Sequence, residues 1–265
     1  MNSKKYIAVG IIFLALLGCF VLFRLIVHSN PKCPNSSNIA SIRIEGELAT
    51  SMAYVGDQTA SSVSSRDIVD AIQNADQDNH IKAILLEIDS RGGDGAAAEE
   101  IVRALRHTHK PIVAYIRGSG LSAAYWVASA ANWIIALETS SLGDIGVKQS
   151  YTDNAIQNEQ NGITFNQLSV GKYKDMFNTD KSLTFDEKAL IMKNLSHIYE
   201  ILITDIAHNR KLDVEKVRSL ADGAPIVADM ALKDGLIDEI GGTDAVHDYL
   251  KQLIHANPEA CSTNP

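Results

Sequence analysis

The sequence has no run of lysine or arginine residues and no cluster of cysteine and histidine residues at the spacing of metal ligands. Its formal net charge is −8, and an acidic chain without a basic stretch is a poor match for nucleic acid. The missing cysteine and histidine clusters argue against a zinc site. We therefore expect no nucleic-acid partner, no metal and no other cofactor.

Internal repeats and low-complexity segments are absent as well. With 265 residues, of which 46% are hydrophobic and 21% charged, the chain has the length and composition of one globular domain with small appendages. Cysteine is scarce: Cys19 lies in an apolar run, while Cys33 and Cys261 lie near the two ends of the remaining chain. The sequence leaves open whether Cys33 pairs with Cys261.

The longest apolar run lies near the N-terminus. Residues 6–23 carry no charge and would span roughly 27 Å as a helix with a rise of ~1.5 Å per residue. We expect residues 6–27 to be a transmembrane signal anchor that follows a cytoplasmic N-terminus at residues 1–5. The protein would then cross a bacterial inner or plasma membrane once, with its main domain outside the cytoplasm. The alternative is a lipoprotein that is cleaved before Cys19.

A polar linker at residues 28–38 is predicted to connect the anchor to a domain at residues 39–256, with residues 257–265 as a C-terminal tail. Within the domain, short apolar runs alternate with amphipathic stretches, which predicts an α/β fold with a parallel sheet and flanking helices. The strands are predicted at residues 40–48, 82–89, 111–117 and 133–137. The helices are predicted at residues 64–75, 96–108, 123–131, 184–209, 213–220, 226–233 and 243–255. The helix at 184–209 is predicted to begin with a capping box formed by Thr184 and Glu187.

The stretch GSGLSAAYW at residues 118–126 contains a candidate nucleophile. It joins a predicted strand to a predicted helix, and its GLSAA part fits a nucleophile elbow in which Ser122 is exposed on a tight turn. Free N–H groups at the start of a helix favour developing negative charge, which suits acyl transfer. The alternative is that Ser122 only caps the helix.

A second element, DSRGGDG at residues 89–95, ends another buried strand. The carboxyl ends of neighbouring parallel strands form one edge of a sheet, where sites are built. A glycine pair at that edge can turn backbone N–H groups outwards and so form an oxyanion hole. The alternative is an ordinary turn, and the spacing does not fit a phosphate-binding loop.

A nucleophilic serine also needs a base. Six of the eight histidines lie in or beside predicted helices with no evident route to that edge; these are His107, His109, His197, His208, His247 and His255. Lys172 and Lys174 lie in a loop, and a lysine can serve as a base where burial lowers its pKa. Since most lysines are solvated surface charges, the residues alone leave this choice open.

The chain resembles the signal peptide peptidase A family over almost the whole part that follows the anchor. The resemblance rests on SRGG, on GLSAAYWVASAANWIIALETSSLGDIGV, on VGKYKDMFNTDKSLTFDEKALI and on ADGAPIVADMALKDGLIDEIGG, which occur in the family's order. It implies a membrane-bound serine peptidase with a Clp/crotonase-like fold. It also implies Ser122 as nucleophile, Lys174 as general base, and the N–H groups of Gly93 and Ala123 as oxyanion donors. The single-copy length resembles the short branch of the family, which forms rings with serine and lysine from neighbouring subunits.

Two positions depart from the family pattern. Arg91 stands where members usually carry proline, and Ala123 and Ala124 stand where two glycines usually follow the serine. The expected function is a membrane-anchored serine endopeptidase that uses a Ser/Lys dyad to degrade cleaved signal peptides or other short apolar peptides. The alternatives are a catalytically silent scaffold that binds membrane proteins, an acyl-CoA enzyme of the crotonase branch, and a specific processing peptidase for membrane proteins.

Overall fold

The computed structural model describes residues 33–51 and 62–263, so the predicted anchor at residues 6–27 lies outside the described part. None of the helices within that part is long and apolar enough to cross a bilayer. The strands are β1 Ile39–Glu45, β2 Glu47–Ala49, β3 Ser62–Ser64, β4 Ala83–Ser90, β5 Ile112–Leu121, β6 Trp133–Ala136, β7 Ser141–Gly143, β8 Pro225–Val227, β9 Glu239–Ile240 and β10 Ala260–Ser262. The helices are α1 Ser65–Gln77, α2 Gly95–His107, α3 Ala123–Ser129, α4 Ala155–Gln160, α5 Phe185–Arg210, α6 Val214–Leu220, α7 Ala228–Asp234 and α8 Thr243–Ile254.

Within the described residues the main sheet has eight strands, and its central path runs β10-β1-β4-β5-β6-β9 with parallel neighbours throughout. The last part of β5 leaves β6 and pairs in parallel with β7, which in turn pairs antiparallel with β8. Strands β2 and β3 form a separate parallel pair. Ser90 at the end of β4 pairs with Gly120 near the end of β5, so the two predicted site segments meet at one edge of the sheet.

Both faces of the sheet are buried, which explains the nearly continuous apolar strands. On one face, Leu86 and Ile116 pack with side chains of α1, α2, α3 and α5. On the other face, Leu85 and Val113 pack with Leu250 of α8. The structure therefore confirms the predicted α/β fold with a mostly parallel sheet between layers of helices.

The long helix α5 begins as predicted. The Thr184 hydroxyl accepts a hydrogen bond from the Glu187 N–H at 3.3 Å, and the Glu187 carboxylate accepts one from the Thr184 N–H at 2.8 Å. These two bonds form the capping box expected from the sequence. The late part of the helix supplies most of its buried residues, whereas Phe185 in its first turn is 85% exposed and Met192 is 59% exposed.

A disulfide joins Cys33 to Cys261 across a sequence separation of 228 residues, which answers the question that the sequence left open. Cys261 lies in β10, a strand within the segment predicted to be a tail, and it pairs with Ala40 of β1. The three-residue strand has no apolar alternation of its own, so the sequence did not reveal it. The bond and the strand pairing fasten the two ends of the described chain to one edge of the sheet.

Candidate active site

Ser122 forms the turn between β5 and α3. Its backbone has φ 51° and ψ −122°, a conformation that is rare for a residue with a side chain. The turn is held by the Ser122 N–H, which donates to the Gly143 carbonyl of β7 at 2.7 Å. The Ser122 carbonyl accepts the Trp126 N–H at 3.0 Å, so the helix starts directly at the turn. A sharp, strained turn between a strand and a helix is the geometry that presents a nucleophile.

The hydroxyl of Ser122 does not cap α3. A capping serine accepts a hydrogen bond from an N–H in the first turn of its helix, and Ser122 makes no such bond. Its Oγ also has no hydrogen-bond partner elsewhere among residues 33–51 and 62–263, and the residue is half-buried. The geometry gives no support to the alternative in which Ser122 only caps the helix.

The glycine loop that follows β4 packs directly on the Ser122 turn. A Cβ on Gly92 would lie 2.9 Å from the Ser122 Cβ, 3.0 Å from the Leu121 oxygen and 3.1 Å from the Ala123 nitrogen. Gly92 also has φ +102°, which residues with a Cβ rarely adopt. Any side chain at this position would push the two strand ends apart.

The other side of the glycine loop is bound to Leu48 of β2. The Leu48 N–H donates to the Gly92 carbonyl, and the Leu48 carbonyl accepts the Asp94 N–H, both at 2.8 Å. The N–H of Gly93 donates to no acceptor in the described part of the chain. The same is true of the Ala123 N–H, the first of α3. Both predicted oxyanion donors are therefore backbone groups whose hydrogen-bonding capacity is unused.

Asp89 holds the segment that leads to the turn. Its carboxylate accepts a hydrogen bond from the Ser119 N–H at 2.9 Å, and a Cβ on Gly118 would lie only 2.7 Å from the same oxygen. The glycine thus lets the carboxylate approach the backbone of β5. The bond thereby fixes Ser119, three residues before Ser122. Ser119 itself lies within β5 and lacks the positive φ of the Ser122 turn.

Lys174 lies in a turn of the loop between α4 and α5, where its N–H donates to the Gly171 carbonyl at 3.1 Å. Its side chain is exposed, and its ammonium makes no hydrogen bond or ion pair within the described residues. No hydrogen bond therefore joins Lys174 to Ser122 within one chain. Beside it, the buried Oδ2 of Asp175 has no partner in the described part of the chain.

Lys172, His107 and His109 are less suitable bases than Lys174. The Lys172 ammonium donates to the Asp186 carboxylate at 2.6 Å, and this bond raises the pKa of Lys172. His107 ends α2 and His109 precedes β5, so both lie towards the amino end of that strand, opposite the edge with Ser122. A lysine that holds its proton and two histidines at the far edge are poor bases for Ser122.

A partly buried ion pair fixes the end of the lysine-bearing loop to α5. The Lys181 ammonium contacts the Glu187 carboxylate at 2.7 Å, with 18% and 6% of the two side chains exposed. Hydrogen bonds from Lys181 and from the Thr184 N–H lower the pKa of Glu187 to about 2. The loop before this pair is open: the side chains of Leu168 and Val170 are 99% and 98% exposed.

The described residues also form a groove of about 490 Å³ between α1 and α2. Its walls include Arg66, Arg103 and His107 around an apolar floor with Val69 and Ile72. None of the residues at the strand-end edge lines it. The groove is therefore separate from the candidate site.

Two protein families match the chain. Residues 104–257 match Peptidase family S49, and residues 40–159 match the Clp protease family. The first match includes both Ser122 and Lys174, and the second includes the glycine loop and the Ser122 turn.

Curated proteins with protease names are similar to the chain. A protein of Methanocaldococcus jannaschii with a provisional protease name is 30% identical over 194 residues, which are 72% of this chain and 62% of that protein. The chloroplastic serine protease SPPA of Arabidopsis thaliana is 28% identical over 79% of this chain and 30% of its own length. Protease 4 of Salmonella typhi is 28% identical over 71% of this chain and 31% of its own length. The chain thus spans less than two thirds of the length of these relatives.

Two solved structures share the fold. A mutant of the 1510-N membrane-bound stomatin-specific protease superposes with a TM-score of 0.60 at 15% identity, covering 86% of this chain and 98% of that one. A mutant of ClpP1 from Listeria monocytogenes has a TM-score of 0.52 at 15% identity, covering 78% of this chain and 94% of that one. At such low identity the likeness establishes a Clp-protease-like fold and nothing beyond it.

Proposed function

The chain belongs to Peptidase family S49, and from this membership and the geometry of its strand-end edge we propose that it is a serine peptidase with Ser122 as nucleophile. The observation that carries the proposal is the turn itself. Ser122 combines a positive φ with a hydroxyl that has no partner in the described residues, and a glycine is packed against its Cβ. This is a site shaped to admit a substrate carbonyl next to a free serine oxygen.

In the proposed reaction, the neutral amine of Lys174 takes the proton of the Ser122 hydroxyl while Oγ attacks the carbonyl carbon of a peptide bond. The N–H groups of Gly93 and Ala123 then stabilise the negative charge on the carbonyl oxygen. When the carbon–nitrogen bond breaks, the Lys174 ammonium gives its proton to the leaving amine. Water attacks the resulting ester, its proton passes to Lys174, and that proton returns to Ser122 as the acid leaves.

We further propose that Lys174 reaches the Ser122 of a neighbouring subunit in a ring-shaped homo-oligomer. The Lys174 ammonium has no partner in the described part of its own chain, which is consistent with a partner elsewhere. Exposed apolar side chains surround its loop and the start of α5, and such surfaces mark association sites; they are Leu168, Val170, Tyr173, Phe177 and Phe185. A Clp-protease-like fold is compatible with such an assembly.

The proposed substrates are cleaved signal peptides or other short apolar peptides, and the proposed location is the outer side of a bacterial membrane. The Cys33–Cys261 disulfide supports a place outside the cytoplasm, because such bonds persist in oxidising compartments.

The proposed anchor at residues 6–27 is tested by solubility. A variant without residues 1–28 should need no detergent, whereas isolation of a protein that starts at a lipid-modified Cys19 would reject the anchor.

A peptide-cleavage assay tests the dyad. Ser122→Ala and Lys174→Ala should each abolish cleavage by the full chain, and Ser119→Ala, which changes a neighbouring hydroxyl, should retain it. If serine and lysine come from different subunits, a mixture of Ser122→Ala and Lys174→Ala subunits should regain part of the activity. A wild type that binds apolar peptides without cleaving them would instead favour the silent scaffold.

A further inference from the structure

Ser90, the last residue of β4, lies directly before the glycine loop. Its side chain is buried, with the residue 1% exposed. Its hydroxyl donates to the Gly46 carbonyl at 2.6 Å and accepts the Gly92 N–H at 3.2 Å. A second carbonyl, that of Gly92, lies 3.4 Å away, but a hydroxyl has one proton and the shorter contact takes it.

This pair of bonds decides which N–H of the loop is free. The Gly92 N–H is bonded inside the protein to the buried Ser90 hydroxyl, so it is not available to a substrate. The N–H of Gly93 is left without an acceptor in the described residues. Without the hydroxyl, the Gly92 N–H and the Gly46 carbonyl would both lose their partner, and the loop would turn to recover one.

The position of the loop matters because it touches the Ser122 turn. Gly92 is packed against the Ser122 Cβ and the Ala123 nitrogen, so a rotation of the loop displaces the Gly93 N–H relative to the Ala123 N–H. The Leu48 backbone holds the outer side of the loop, and Ser90 is the side chain that holds its inner side. An oxyanion hole depends on two donors that are fixed before the substrate arrives.

We propose that Ser90 is a positioning residue for the oxyanion hole: its hydroxyl binds the Gly92 N–H and the Gly46 carbonyl, and thereby leaves the Gly93 N–H free and aimed at the substrate oxygen. The role rests on the proposed function, since it has meaning only if Ser122 attacks a carbonyl. Ser90 touches neither substrate nor nucleophile and acts through the glycine loop.

The test compares Ser90→Ala with Ser129→Ala in the full chain. Ser129 is an equally buried serine whose hydroxyl also donates to one carbonyl, that of Trp126, and accepts one N–H, that of the Asn209 amide. It lies at the far end of α3, so its loss removes comparable bonds away from the glycine loop. For each variant we would measure the melting temperature, and kcat and KM per active site titrated with a serine-directed reagent. We would also measure the affinity for a peptide aldehyde, because its adduct with the serine places an oxygen anion in the oxyanion hole.

Ser90→Ala should lower kcat about ten- to hundredfold, as expected for a misplaced catalytic donor, with KM changed less than about twofold. Its affinity for the aldehyde should fall by a similar factor. Ser129→Ala should lower the melting temperature by an amount comparable to Ser90→Ala and leave kcat unchanged. Ser90→Thr, which retains the hydroxyl, should keep most of the wild-type kcat. If Ser90→Ala does not fold, Ser90→Cys fills the same space with a weaker hydrogen-bonding group and should show the same loss in smaller measure.

Equal kcat and equal aldehyde affinity in the wild type and Ser90→Ala would overturn the role of Ser90 while leaving the peptidase intact. Equal losses in Ser90→Ala and Ser129→Ala would likewise reduce Ser90 to a structural residue. A wild type that cleaves no peptide and is not titrated would overturn the proposed function, and the role of Ser90 with it.

Discussion

A Cβ on Gly92 would lie 2.9 Å from the Cβ of Ser122, so the loop after β4 and the turn after β5 leave no room for a side chain at Gly92. Gly92→Ala should therefore disrupt the site twice, by the clash and by the φ of +102°. We expect a loss of about 2 kcal/mol in the free energy of unfolding, together with loss of peptide cleavage. Denaturant unfolding and the peptide assay measure the two effects.

Gly95 provides the control for this prediction. It begins α2 three residues further on, and a Cβ there would meet no atom within 4 Å. Gly95→Ala should leave cleavage unchanged and the free energy of unfolding unchanged or slightly higher. Similar behaviour of the two variants would show that the contact between Gly92 and Ser122 does not matter.

The two lysines of the loop should behave differently. Lys174→Arg should be as inactive as Lys174→Ala, because a guanidinium keeps its proton at any working pH and cannot take one from serine. Lys172→Ala should retain most of the activity, since this lysine is bound to Asp186 and its pKa is raised by that bond. Initial rates of peptide cleavage decide the matter, and full activity of Lys174→Arg would exclude Lys174 as the base.

Glu187, in the first turn of α5, should make the free energy of unfolding depend on pH. Its pKa is lowered to about 2 in the folded chain, from about 4.3 for an unperturbed glutamate. The stabilisation by the ionised group is therefore present above about pH 4.3 and is lost as the pH falls towards about 2. Glu187→Gln keeps a capping side chain and removes the charge. The difference in unfolding free energy between the wild type and Glu187→Gln should therefore shrink as the pH falls from about 4.3 to about 2.

Glu99→Gln is the control for that pH dependence. Glu99 forms an exposed pair with Arg103 on α2, and such surface pairs contribute under about 1 kcal/mol. Its difference from the wild type should stay small at every pH. A Glu187→Gln difference that stays constant from neutral pH down to about 2 would contradict the ion pair between Glu187 and Lys181.

The Cys33–Cys261 disulfide should contribute strongly to stability because it closes a long loop. Replacing both cysteines with alanine should lower the free energy of unfolding by about 2–5 kcal/mol. A reducing agent should destabilise the wild type by a similar amount and leave the double variant unchanged. A wild type that is indifferent to reduction would show that the bond is absent or without effect.

The sequence was sufficient where the signal is local. The apolar run at residues 82–89 corresponds to β4, and the capping box at Thr184 and Glu187 is present as predicted. Contacts between distant segments could not be predicted in the same way. The approach of Gly92 to Ser122, and the bond from Ser90 to Gly46, depend on the register of strands that only the folded sheet establishes. Strand β10 owes its existence to pairing with β1.

The nucleophile itself is tested most directly by covalent labelling. The full chain is treated with a serine-directed phosphonate reagent, digested, and analysed by mass spectrometry to locate the adduct. We predict one adduct on Ser122 in the wild type and in Ser119→Ala, and none in Ser122→Ala. An adduct on Ser119 or on another serine, or labelling that persists in Ser122→Ala, would contradict the assignment of Ser122 as nucleophile.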